Sequence, residues 1–188
     1  MPKPIQPQTA VICLLRGVNV GGHRQIKMDA LRAICGPLGL ANPRTLLQSG
    51  NLVFETSAKD LGGLARRIEQ ALTQTFGFHS DVILRTASQM RQVVEANPFA
   101  GRTSLNPAKL AVTFLAADPG EAARETVRRL PTDPEELHIT ARELYIYYPN
   151  GMGRSKLHLN RIEKALGTPG TTRNWNTVTK LLEMVERG

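Results

Sequence analysis

Apolar and polar positions follow two periods along this chain. Residues 10–15 are apolar without interruption and stop at Arg16, which predicts a strand over 10–16 buried on both faces. From Met28 the period lengthens. Met28, Leu31, Ile34, Cys35 and Leu38 share one helical face, and Gly39 suits the left-handed residue that closes such a helix. Residues 45–48 and 51–55 flank Ser49-Gly50 and predict a hairpin. A second helix is expected over 59–76, ended by Gly77, and a short strand over 82–85. This order, β-α-β-β-α-β, is the ferredoxin-like pattern.

The order then recurs. A linking helix over 88–95 breaks at Asn97-Pro98, because a residue before proline avoids the helical region. Residues 109–115 predict a strand. Pro119 suits the first turn of a helix running to Leu130 and halted by Pro131. Residues 137–140 and 143–148, joined through Ala141-Arg142, predict a second hairpin. A helix is expected over 154–166, a short strand over 171–173, and a closing helix from Asn174 with Trp175, Val178, Leu182 and Val185 on one side. The reading is α/β (α+β): a tandem pair of ferredoxin-like βαββαβ units, 9–97 and 98–188, with a disordered lead-in over 1–8 and an added C-terminal helix.

Composition narrows the function classes. The 188 residues carry 24 Lys and Arg against 16 Asp and Glu, a net charge of +8. Such a charge steers association with acidic partners: nucleic acid, nucleotides or another anionic small molecule. The start of the chain has three early prolines, Pro2, Pro4 and Pro7, and no apolar core, unlike a signal peptide, and the apolar runs are too short to cross a bilayer. No membrane partner is therefore expected. Cys13 and Cys35 form no paired motif and read as buried small hydrophobes, which fits a reducing cytoplasm. His23, His79, His138 and His158 lack metal-ligand spacing, so neither a metal nor a cofactor is expected.

Four segments carry candidate chemistry. The first connection, from Arg16 to Lys27, is long and rich in glycine and base. Gly17, Gly21 and Gly22 permit positive φ and close ligand approach, while Arg16, His23, Arg24 and Lys27 supply charge; Asn19 joins the candidate contacts. The glycine spacing matches no standard nucleotide fingerprint, and the competing reading is a solvated connection. The second segment is Gln48-Ser49-Gly50-Asn51, a hairpin turn whose amides, Gln48 and Asn51, could also reach a ligand.

In the third segment Gly151 and Gly153 lead into Arg154, Ser155 and Lys156. Cations at a helix N-terminus oppose its dipole, and a bound anion would relieve the conflict. The fourth is Arg173, Asn174 and Trp175. Asn174 suits an N-cap and Trp175 a packing anchor, or Arg173 grips a carboxylate or phosphate beside a stacking indole. Tyr145 and Tyr147 share a face, but a sheet buried on both sides offers no open base platform, so they read as packing residues.

Leu14-Leu15-Arg16-Gly17-Val18-Asn19-Val20-Gly21-Gly22, Gln48-Ser49-Gly50-Asn51, Tyr148 through Lys156 and Thr172-Arg173-Asn174-Trp175-Asn176-Thr177 together resemble a bacterial family known as domain of unknown function 1697. The resemblance covers nearly the whole chain in the family's order. It implies a soluble, cytoplasmic tandem pair of ferredoxin-like units and implies no activity. Val18 stands where the family usually has Ile, and Leu157-His158-Leu159 departs from its pattern. The leading expectation is a basic binding protein for a phosphate-bearing ligand. One alternative is an enzyme on a small phosphorylated or carboxylated metabolite, with Arg16, Ser155 and Lys156 near the chemistry. The other is a protein-interaction or structural module.

Overall fold

A computed structural model describes residues 8–157 and 159–187. The lead-in expected over 1–8 lies outside these residues except for Gln8. Mixed α/β structure fills the chain. Its strands are β1 Thr9–Leu15, β2 Ala41–Leu46, β3 Asn51–Thr56, β4 Val82–Thr86, β5 Leu110–Leu115, β6 Glu136–Ile139, β7 Glu143–Tyr147 and β8 Gly170–Asn174. Six α-helices occur among the described residues: α1 Met28–Ala33, α2 Leu61–Phe76, α3 Ala87–Glu95, α4 Glu121–Arg128, α5 Leu159–Leu166 and α6 Trp175–Glu186. The strands form two four-stranded sheets, ordered β2-β3-β1-β4 and β6-β7-β5-β8. Every pairing is antiparallel. Two compact units result: one runs to Met90 and takes in the chain from Leu181, the other is Arg91–Lys180.

In the first unit Val11, Cys13 and Leu15 of β1 join Leu52 and Phe54 of β3 against Leu31 of α1 and Leu64, Ile68 and Leu72 of α2. Those α2 residues recur at helical spacing, so one stripe meets the sheet. Asp60 caps α2 by accepting from the Gly63 amide at 2.9 Å, and Gly77 ends it at φ 77°. Ile12 and Leu14, on the other face of β1, are fully buried as well, as the unbroken apolar run required. In the second unit Ala111, Leu115, Leu144, Ile146 and Tyr148 pack with Val127 of α4 and Ile162 and Leu166 of α5. Cys13 and Cys35 are both buried.

Several boundaries differ from the sequence expectation, each for a local reason. The first helix stops at Ala33 rather than Gly39. Pro37 lacks an amide and crowds the preceding turn, so the chain continues in tight turns until Gly39, at φ 71°. The first hairpin turn spans four residues, since Leu46 pairs with Asn51. Pro119 stands outside α4, which begins after Gly120. The helix expected from Arg154 starts at Leu159. Met152–Arg154 is a single 3₁₀ turn, and Ser155 is extended, its hydroxyl accepting from the Leu157 amide at 3.0 Å. A serine that bonds its own backbone competes with helix. On α6 the buried stripe is Val178, Leu181 and Val185, with Trp175 and Leu182 half-buried.

Candidate functional site

In the first unit the connection 16–27 folds as a small hairpin. The His23 amide donates to the Val20 carbonyl at 3.0 Å and the Asn19 amide to the Arg24 carbonyl at 3.1 Å. Gly21 and Gly22 form the tip at φ 58° and 79°, a pair of left-handed values that a two-residue turn of this hand requires. Asn19 pins the hairpin down. Its side chain accepts from the Ile26 amide at 2.8 Å and donates to the Ile26 carbonyl at 3.0 Å and the Gln48 carbonyl at 2.5 Å. The last bond joins the first two candidate segments at the end of β1.

Gly50 allows that docking. A Cβ there would lie 2.4 Å from Cγ2 of Val18 and 2.8 Å from Cβ of Leu15. Asn51 is fully buried and donates to the Leu46 carbonyl and the Ser49 hydroxyl, both at 2.9 Å, so it braces the turn.

The cations of this segment are differently placed. Arg16 is half-buried, and its guanidinium lies 3.3 Å from the Asp81 carboxylate, which also meets His79 at 3.2 Å. Arg24 lies over the Phe78 ring, 5.9 Å from its centroid. His23, Arg24, Gln25 and Lys27 are exposed, and a Cβ on Gly21 or Gly22 would meet nothing within 4 Å. Exposed Val20 and Leu47 flank the Asn19–Gln48 contact in sequence.

In the second unit the other two segments meet the start of β5. Lys109 donates through Nζ to the Pro149 carbonyl, and Asn174 donates to the Ala108 carbonyl at 2.8 Å. Asn174 also caps α6 by accepting from the Asn176 amide at 3.0 Å, as expected. Gly151 turns the chain at φ 84°, while Gly153, Arg154 and Lys156 are exposed. Arg154, Ser155 and Lys156 precede α5 rather than open it, so the expected clash with a helix dipole does not arise there. Arg173 is buried, donating to the Thr171 hydroxyl at 2.7 Å and the Thr172 carbonyl at 2.9 Å. Tyr145 and Tyr147 are packed: the Tyr145 hydroxyl donates to the Val93 carbonyl at 2.8 Å, and Tyr147 lies 6.0 Å from Phe99.

One cleft was not anticipated from sequence. Asp133, Glu135, Lys156 and Arg161 line it in the second unit. Of these, the sequence reading had singled out Lys156 alone. The available signal was Pro131-Thr132-Asp133-Pro134-Glu135, one acid between two prolines and one directly after the second, where the backbone is stiff.

A solved structure described as that of conserved bacterial protein SP0830 from Streptococcus pneumoniae superposes with a TM-score of 0.76 at 21% identity, covering 96% of this chain and 99% of the other. That likeness concerns the fold. No curated protein matches the sequence. The model of the family described as "Protein of unknown function (DUF1697)" matches residues 9–145. With most of its length matched, and with the motifs around Arg16 and Gln48 inside the match, the chain belongs to that family of proteins of unknown function.

Proposed function

We propose that this protein is a basic cytoplasmic binding protein for a phosphate-bearing ligand, a nucleic acid or a nucleotide, built on two tandem ferredoxin-like units. Counted within each unit, both sheets have the strand order 2-3-1-4, which supports the tandem reading. No helix among the described residues is long and apolar enough to cross a membrane.

The anchored cationic hairpin carries the functional reading. Its glycine tip faces open space, His23, Arg24 and Lys27 are exposed, and Asn19 fixes its direction. Exposed Val20 and Leu47 add apolar surface beside these cations. Phosphates paired with a flat, partly apolar base match that combination. A net charge of +8 would speed the encounter.

The test is titration of a labelled single-stranded oligonucleotide between about 50 and 200 mM salt. Affinity should fall steeply with salt, and Lys27→Ala should reduce the log–log slope by roughly one. Salt-independent binding, or an unchanged slope in that variant, refutes the reading.

A further inference from the structure

The cleft of the second unit is a cavity of about 280 Å³ lined by charges of both signs. Its floor is apolar. Leu130, Leu157 and Ile162 line it and pack into the same core cluster as Tyr148. Asp133 and Glu135 supply two carboxylates, and Lys156 and Arg161 supply two cations. Glu135 is only 7% exposed. Among the described residues, none of these four side chains makes a hydrogen bond or an ion pair.

Tyr148 adds a further unmet group. It is 2% exposed, and its hydroxyl has no hydrogen-bond partner among the described residues. Burial raises its pKa, and the charge of Glu135 adds to the rise, which puts the hydroxyl within electrostatic reach of that carboxylate.

Glu135 is a carboxylate drawn from water with no partner, a cost that a ligand cation would relieve, while Asp133, Lys156 and Arg161 stand exposed around the cleft and keep their hydration until a ligand arrives. A cleft kept in this state suits a ligand that supplies both partners. A purely anionic ligand would meet Lys156 and Arg161 but sit beside two carboxylates. A purely cationic one would meet the reverse. The cavity falls below the range typical of drug-sized ligands, so the occupant is small.

We propose that this cleft binds a small zwitterion of the α-amino acid class. Its ammonium group sits on Glu135 and Asp133, its carboxylate on Lys156 and Arg161, and its side chain over Leu130, Leu157 and Ile162. The site is independent of the cationic hairpin, which belongs to the other unit, so failure of oligonucleotide binding leaves it standing.

The experiment is a calorimetric and thermal-shift survey of the full chain. The probes are the twenty α-amino acids, the matching decarboxylated amines and deaminated acids, and inorganic phosphate as the anion control. At least one amino acid should bind saturably, with its amine and its acid each weaker by about tenfold or more, as loss of a charge-assisted contact requires. Glu135→Gln and Lys156→Ala should each weaken that ligand about tenfold, and Glu135→Gln, being isosteric, should keep the ligand-free melting temperature. Saturable binding by none of the amino acids overturns the proposal. So does equal binding of the amine or acid analogue, or undiminished affinity in Glu135→Gln.

Discussion

Arg85 and Arg173 hold the same register position in the two sheets. Arg85 pairs with Ile12 and Arg173 with Val112, each three residues in from the end pairs Leu15–Val82 and Leu115–Gly170. Each guanidinium donates to the carbonyl just before it, Leu84 at 3.0 Å and Thr172 at 2.9 Å. Both residues are buried, at 1% and 7% exposure. A guanidinium at that depth is tolerated because its donors are satisfied locally.

Arg173→Ala should therefore act on stability. It removes the guanidinium's hydrogen bonds to the Thr172 carbonyl and the Thr171 hydroxyl, each worth about 1.5–3 kcal/mol as a bond to a charged group. Urea denaturation should show a loss of about 2–4 kcal/mol, with Arg173→Lys intermediate because the planar fork is lost. A change below about 0.5 kcal/mol, the range of ordinary surface substitutions, would show that the buried bonds do not matter.

Asn19 should be the fastener of the cationic hairpin. Asn19→Ala removes three hydrogen bonds, two to Ile26 and one to Gln48. At about 1 kcal/mol per bond, the expected cost is roughly 2–3 kcal/mol. Amide exchange at Ile26 should accelerate before the strands are affected. Unchanged protection at Ile26 would contradict the anchoring role.

Two glycines with similar backbone angles should respond differently to alanine. Gly50 and Gly77 have φ of 71° and 77°. An added methyl at Gly77 meets nothing within 4 Å, so Gly77→Ala carries the left-handed strain alone, about 1–2 kcal/mol. At Gly50 the methyl collides with Val18 and Leu15, and overpacking adds about 1–3 kcal/mol more. Chemical denaturation of the two variants should preserve that order. Equal costs would mean that the hairpin yields freely.

Alkaline pH should unfold the protein through its buried acids. Burial pushes the Cys35 thiol up to about 11 and, with the Glu135 carboxylate adding to it, the Tyr148 hydroxyl up to about 12. Tyr145 is also raised, by burial first and Glu143 second. Unfolded Cys and Tyr ionise near about 8.5 and 10. Above those values the unfolded chain holds fewer protons than the native one, so stability falls as pH rises. These groups contribute fully below about pH 8.5 and are lost through about pH 12. Tyr148→Phe should remove the share lost between pH 10 and about 12. At neutral pH it should be neutral or stabilising, because it deletes an unpartnered buried hydroxyl. Melting temperatures measured from pH 7 to 11 decide the matter, and a profile flat to the end would contradict it.

Residue spacing along the chain carried the periods of the strands and helices, the double burial of β1, the left-handed stop at Gly77, the Asn174 cap and the packing of Tyr145 and Tyr147. These depend on neighbours within a few positions, where propensity and hydrophobic period act directly. Helix α5 starts later than the spacing predicts because the Ser155 hydroxyl accepts from the Leu157 amide while Ser155 itself is extended. The small hairpin over 19–24 leaves no period in the sequence, because its arms on either side of Gly21-Gly22 are too short to show one.

Contacts between distant segments were settled only in three dimensions. Asn19 reaches Gln48, Gly50 fits beneath Val18, Arg173 turns back on its own strand, and Glu135 shares a cleft with Lys156. Local pattern fixes which face of an element is apolar. Which polar groups share a cavity depends on how loops close over the packed sheets, and no period in the sequence encodes that closure.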